Sequence, residues 1–131
     1  MVKQFISSGS KFESVAGYSR ALVDAPFVFV SGTTGFDYDT MQISPDLEAQ
    51  TEQCRKNIAK ALGEAGASLD DVVRVTYYLT AKEQFGIIGP IVGHHFRAAR
   101  PAASAVVVGL VDERMLIEIE VTARLPEGRA T

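Results

Sequence analysis

Along residues 116–123 apolar and polar side chains alternate, with Ile117, Ile119, Val121 and Ala123 set against Glu118, Glu120 and Thr122. Successive side chains of a strand point to opposite faces, so this stretch predicts a strand with one apolar and one acidic face. Val72-Val73-Arg74-Val75-Thr76-Tyr77-Tyr78-Leu79 is rich in β-branched and aromatic residues and predicts a central strand, with Val73, Val75, Tyr77 and Leu79 on one face. Phe27-Val28-Phe29-Val30-Ser31-Gly32 follows the turn signal Asp24-Ala25-Pro26 and predicts another, with residues 18–23 as its hairpin partner. Residues 3–7 predict a short edge strand, and residues 102–108 one more, joined to the last strand by a turn around Gly109 to Arg114.

Two segments switch to the helical period. Ser44-Pro45 predicts a helix start, because serine can cap free N–H groups and proline loses nothing at the first helical position. Leu47, Cys54, Ile58, Ala61, Leu62 and Ala65 then form one apolar stripe, and Gly66 closes the helix. Thr80-Ala81-Lys82-Glu83 has capping-box spacing before a second stripe of Phe85, Ile88, Val92, His95 and Phe96. Gly89-Pro90 interrupts that stripe and predicts either a kink or a helix that begins near Pro90. The order β-β-β-α-β-α-β-β is an α+β fold, with about six strands in the sheet and two helices packed on one face. The other face, carrying Glu118 and Glu120, needs water or a partner subunit.

Composition narrows the class. With 131 residues and 47% hydrophobic side chains, the chain predicts one domain spanning residues 1–131, with loose ends at the first residues and at 126–131. It contains no apolar run near the roughly 20 residues that cross a bilayer, and its opening lacks a signal peptide's apolar stretch, so no membrane partner and a cytoplasmic location are expected. A single cysteine, Cys54, fits a reducing compartment. A formal net charge of −3, from 16 acidic and 13 basic residues, argues against nucleic acid as a partner.

Few residues carry candidate chemistry. Glu118 and Glu120 stand about 6.6 to 7 Å apart along a strand, and one could hold a water as general base; a solvated strand face is the simpler explanation. Tyr18 and Arg20 lie two apart on one predicted strand. Ser31-Gly32-Thr33 offers small residues at which a ligand can approach backbone N–H groups, or is an ordinary strand end turning toward Gly35. His94 and His95 diverge by about 100° on a helix and cannot jointly grip a metal, so no metal site is expected. Asp37-Tyr38-Asp39 reads as a solvated loop, and Cys54 as core. Gly32-Thr33-Thr34-Gly35 lacks the lysine and following helix of a phosphate-binding loop.

Taken in order, Gly17-Tyr18-Ser19-Arg20-Ala21, Val28-Phe29-Val30-Ser31-Gly32, Glu64-Ala65-Gly66-Ala67-Ser68-Leu69-Asp70-Asp71-Val72-Val73, Arg100-Pro101-Ala102 and Ile117-Glu118-Ile119-Glu120 resemble the RidA (YjgF) family over nearly the whole chain. The resemblance implies a mixed sheet with a fold like that of chorismate mutase from bacilli, and a homotrimer with ligand clefts between subunits. It also implies hydrolysis of enamine and imine acids such as 2-aminoacrylate, without metal or cofactor. Carried over residue by residue, Tyr18 would line the cleft, Ser31 and Gly32 would contact the ligand, and Glu118 would hold the attacking water. The deaminating members carry Pro-Ala-Arg-Ser, whose arginine forks onto the substrate carboxylate; here the run is Pro101-Ala102-Ala103-Ser104. Ala105 stands where those members have a cysteine, and Gly89 where some have an asparagine.

Losing a bidentate guanidinium–carboxylate contact costs about 1.5 to 3 kcal/mol, roughly 10 to 150-fold in binding. The leading expectation is therefore a trimer that binds a small carboxylate or carbonyl metabolite without the standard deaminase activity. The second keeps imine deamination with Arg20, glutamine in many members, as substitute anion anchor. A ribonuclease or translation inhibitor, as some relatives are labelled, ranks last on charge.

Overall fold

The computed structural model describes residues 3–127. Its elements run β1 (Gln4–Ile6), α1 (Lys11–Ala16), β2 (Ala21–Asp24), β3 (Phe27–Thr34), β4 (Phe36–Asp37), β5 (Gln42–Ile43), α2 (Leu47–Ala65), β6 (Val72–Leu79), α3 (Gln84–His95), β7 (Ala102–Val107) and β8 (Ile117–Arg124), with a 3-10 turn over Leu69–Asp71. Six strands form one sheet in the order β1-β2-β3-β8-β6-β7. All neighbours are antiparallel except β6 and β7, and α3 provides the crossover that a parallel pair needs. The sheet is therefore mixed, as expected. Ile117, Ile119, Val121 and Ala123 are buried beneath Cys54, Ile58 and Leu62 of α2 and Ile88 and Val92 of α3, so both long helices cover one face. The expectation for the chain ends falls partly on residues 1, 2 and 128–131, which lie outside the described residues.

Several local expectations change. A third helix, α1, joins the two predicted ones; Ser10 accepts a hydrogen bond from the Phe12 N–H at its start, and Gly17 ends it in the left-handed region at φ 71°. Strand β2 begins at Ala21, so Tyr18 and Arg20 belong to the bend between α1 and β2. The α2 cap is Asp46, whose carboxylate accepts from the Ala49 N–H at 2.9 Å, while Ser44 sits two residues outside and takes the Asp46 N–H. Gln84, one place beyond the predicted Glu83, closes the turn before α3 by accepting from the Thr80 and Ala81 N–H groups. Helix α3 runs through Pro90, whose ring lies on the exposed side. Phe85 is likewise exposed, so the buried stripe of this segment is Ile88, Val92 and Phe96. In β6 the register with β8 slips between Val72 and Arg74, which turns Val72 into the core and leaves Val73 45% exposed. A bulge thus moved the inward position by one residue.

One polar row on α2 organises the sheet end that matters below. Gln50, Cys54 and Asn57 share a helix face. The Cys54 thiol meets the Thr33 carbonyl at 3.4 Å, and the Asn57 amide donates to the carbonyls of Thr34 and Phe36 at 3.1 and 2.8 Å. Gln50, fully buried, donates to the carbonyls of Ser44 and Arg114 and accepts from the Leu116 N–H. Backbone groups where β3 leaves the sheet, and just before β8 enters it, are thereby satisfied from the helix.

Candidate functional site

The site starts from an irregularity in β3. Val30 faces Val121 and Thr33 faces Ile119, so Ser31 and Gly32 share the space opposite Glu120. Beyond this bulge Thr34 pairs with Glu118, which lies on the open face of the sheet. A Cβ on Gly32 would collide with the Glu118 carboxylate, so any other residue here would turn that side chain away from β3.

Behind the bulge stands Arg20, 2% exposed. Its Nη1 donates to the Gly32 carbonyl at 2.8 Å and the Thr33 hydroxyl at 3.0 Å, and the guanidinium lies 4.6 Å from the Tyr38 ring centroid and 5.7 Å from that of Tyr18. Its Nε is 4.0 Å from Glu13 and makes no hydrogen bond. Burial works to raise the Glu13 carboxyl, yet hydrogen bonds from Ser8 and Ser7 and the Arg20 charge outweigh it and hold the group below its ordinary value. Arg20 is thus a brace for the bulge and for two tyrosines. Tyr38, expected in a solvated loop, is buried; Asp37 and Asp39 beside it do form a polar turn, with Asp37 accepting from the Asp39 N–H.

These elements enclose a cavity of about 520 Å³. Tyr18, Arg20, Gly32 and Glu118 line it, so four residues singled out from sequence meet in one place. Helix α1 contributes Lys11, Phe12, Val15 and Ala16, and Thr34, Tyr38, Val111 and Met115 complete the wall. The contribution of α1 was missed, although Ser10-Lys11-Phe12-Glu13 has capping-box spacing and Gly17 is a stop signal. Ser31 lies outside this cavity, its hydroxyl donating to the Ser19 carbonyl at 2.7 Å. Ala103 and Ala105 are on β7, with β6 between them and β8, and Gly89 is in α3; within one chain none of the three reaches the cavity.

The two acidic residues of β8 differ in surroundings. Glu120 accepts from the Tyr78 hydroxyl at 2.8 Å, on the exposed part of the face. Glu118 is half-buried, and its carboxyl is pushed above the ordinary 4.5 by burial and by the Glu120 charge, with Arg20 opposing. A raised carboxyl favours the folded state fully below its unfolded value, and that contribution fades as pH rises through the folded one. Glu118→Gln is therefore expected to be more stable than wild type at pH 8, with the gap closing toward pH 4; thermal melts across that range measure it. Burial also pushes the Cys54 thiol far up, as suits the core role read from its position. His95 meets Glu52 at 2.5 Å, and among the described residues no group of three His, Cys, Asp or Glu side chains is placed to hold a metal. No helix among them is long and apolar enough to cross a membrane.

Comparison with known proteins places this architecture. The family model described as "Endoribonuclease L-PSP" matches residues 8–125. A RutC family protein of Pyrococcus abyssi is 36% identical over 124 residues, covering 94% of this chain and 98% of its own. The chloroplastic Reactive Intermediate Deaminase A of Arabidopsis thaliana is 34% identical over 126 residues, 95% of this chain and 67% of that protein. A Mycobacterium tuberculosis protein whose crystal structure is described as a member of the YjgF/YER057c/UK114 family superposes with a TM-score of 0.86 at 40% identity, over 95% of this chain and all of that one. With the family model matched over residues 8–125 and relatives above 30% identical over nearly the whole chain, the chain belongs to the RutC/YjgF family, the family of the L-PSP model.

Proposed function

We propose that this protein is a homotrimer that binds a small carbonyl or carboxylate metabolite in clefts between subunits in the cytoplasm, and that it lacks the standard 2-aminoacrylate and 2-iminobutanoate deaminase activity. The observation that carries the reading is that Tyr18, Gly32 and Glu118 line one cavity, with a carboxyl held back from water. Support for an assembly comes from β7, an edge strand exposed along its whole length, and from Phe29 and Val106–Val108, large apolar side chains left open to solvent. Support for lost deamination comes from Ala103, which offers no cation to a substrate carboxylate. Any hydrolysis that remains would use Glu118 to take a proton from a water attacking an imine carbon. A coupled assay that generates 2-aminoacrylate is expected to show its decay unchanged by the protein. Rapid decay that Glu118→Gln abolishes would overturn the reading.

The second reading keeps deamination, with Arg20 as anion anchor, because Arg20 lines the cavity and its Nε is unpaired. Against it, Nη1 is already committed to the Gly32 carbonyl and Thr33. Calorimetric titration with 2-oxobutanoate is expected to give equal affinity for the wild type and Arg20→Lys, a substitution that keeps a donor for the bulge. A selective loss of affinity in the variant would favour the second reading. The endoribonuclease of the family description is not carried over, since Lys11 is the one exposed cation on this wall and a phosphate chain needs several.

A further inference from the structure

The cavity beside Glu118 has room for more than a short acid, and most of its surface is apolar. Pockets that hold drug-sized ligands run from about 300 to 1,000 Å³, and this one, at about 520 Å³, lies inside that range. Phe12, Val15, Ala16, Val111 and Met115 are the apolar part of its lining. Val15 and Val111 are 86% and 89% exposed, far more than large aliphatic side chains need to be unless something covers them.

Charge points the same way. At the polar end of the cavity stands Glu118, with Glu120 close enough to raise its carboxyl, and Arg20 is turned to the bulge. Lys11 is on the exposed rim, beside α1. A ligand carboxylate placed at Glu118 would meet a second negative charge, with Arg20 committed to the bulge and Lys11 out on the rim. An uncharged ligand avoids that repulsion, and the apolar part of the lining gives it surface to bury against.

We propose that the cleft takes an uncharged carbonyl compound with an aromatic or branched aliphatic tail, its carbonyl at the end lined by Tyr18, Gly32 and Glu118 and its tail against Phe12, Val15, Met115 and Val111. This rests on the reading of the cavity as the ligand site. The test is calorimetric titration of the intact protein with two probes, 4-phenylbutan-2-one and 2-oxobutanoate, repeated on Val15→Asp, an exposed position where a charge leaves the fold intact. The ketone is expected to bind at least about tenfold more tightly than the acid, and Val15→Asp to weaken it by about fivefold or more.

Equal or tighter binding of 2-oxobutanoate, itself weakened by Gly32→Ala, would overturn the tail and keep the cavity as the site. Binding of neither probe, or ketone binding indifferent to both Val15→Asp and Gly32→Ala, would overturn the site as well. If Val15→Asp dissociates the assembly in sedimentation runs while ketone affinity is unchanged, the apolar wall is a subunit contact and the proposal falls.

Discussion

Replacing Gln50 by leucine is expected to lower the unfolding free energy by about 3 kcal/mol, measured by urea denaturation. Leucine fills a similar volume on a helix that already buries this position, so the cost is electrostatic rather than steric. The substitution would leave three backbone groups, the carbonyls of Ser44 and Arg114 and the N–H of Leu116, without the partner that the Gln50 amide provides. Each unsatisfied group costs about 1 to 3 kcal/mol when buried, and the partial exposure of this set keeps the sum near the lower bound. Gly35→Ala probes the same contact from the other side. A Cβ on Gly35 would lie 2.6 Å from Gln50 Cβ and 2.7 Å from its Cα, and backbone cannot step aside as a side-chain tip can. A loss of about 2 to 3 kcal/mol is expected there too, and the double variant should lose less than the sum because both break one interface. Additive losses would show that the helix start and the β3 exit are independent.

Ala103→Arg is expected to tighten binding of 2-oxobutanoate by about 10 to 150-fold, the worth of a forked guanidinium on a carboxylate. The fold should tolerate it, because Ala103 is exposed on an edge strand opposite Val75. Within one chain the new arginine would stand two strand spacings, about 10 Å, from β8 and on the sheet face opposite Glu118. The gain can therefore arise only in the cleft of a neighbouring copy. Titrating the variant above and below the dissociation concentration of the assembly separates the possibilities: a gain confined to the assembled protein supports clefts shared between subunits. No gain in the assembled protein would remove Ala103 from the site.

Much of this protein is legible without coordinates. The alternation in residues 116–123 places Glu118 on the face away from the helices, and β-branched runs at 27–32 and 72–79 locate the neighbours of that strand, within two residues of their observed bounds. The helical stripe ending at Gly66 located α2. The resemblance points to Tyr18, Ser31, Gly32 and Glu118, and all of them but Ser31 line one cavity. Such features are readable because periodicity is a local property, set by residues a few positions apart.

Only the tertiary structure decided the rest. The bulge at Ser31-Gly32 exists relative to β8, a strand far along the chain, and no window of sequence records a register. Gln50 reads as an ordinary polar helix position, yet it is buried because Leu116, 66 residues on, needs its carbonyl. Arg20 looked available to a ligand, and only the approach of Thr33, Tyr38 and Glu13 turned it into an internal brace. Short α1 escaped notice because six residues make too few turns to show a period, although its Phe12 and Val15 help form the cleft wall. The amino-acid order determined which surfaces are apolar and where each element begins; which polar group meets which across the fold depends on long-range packing.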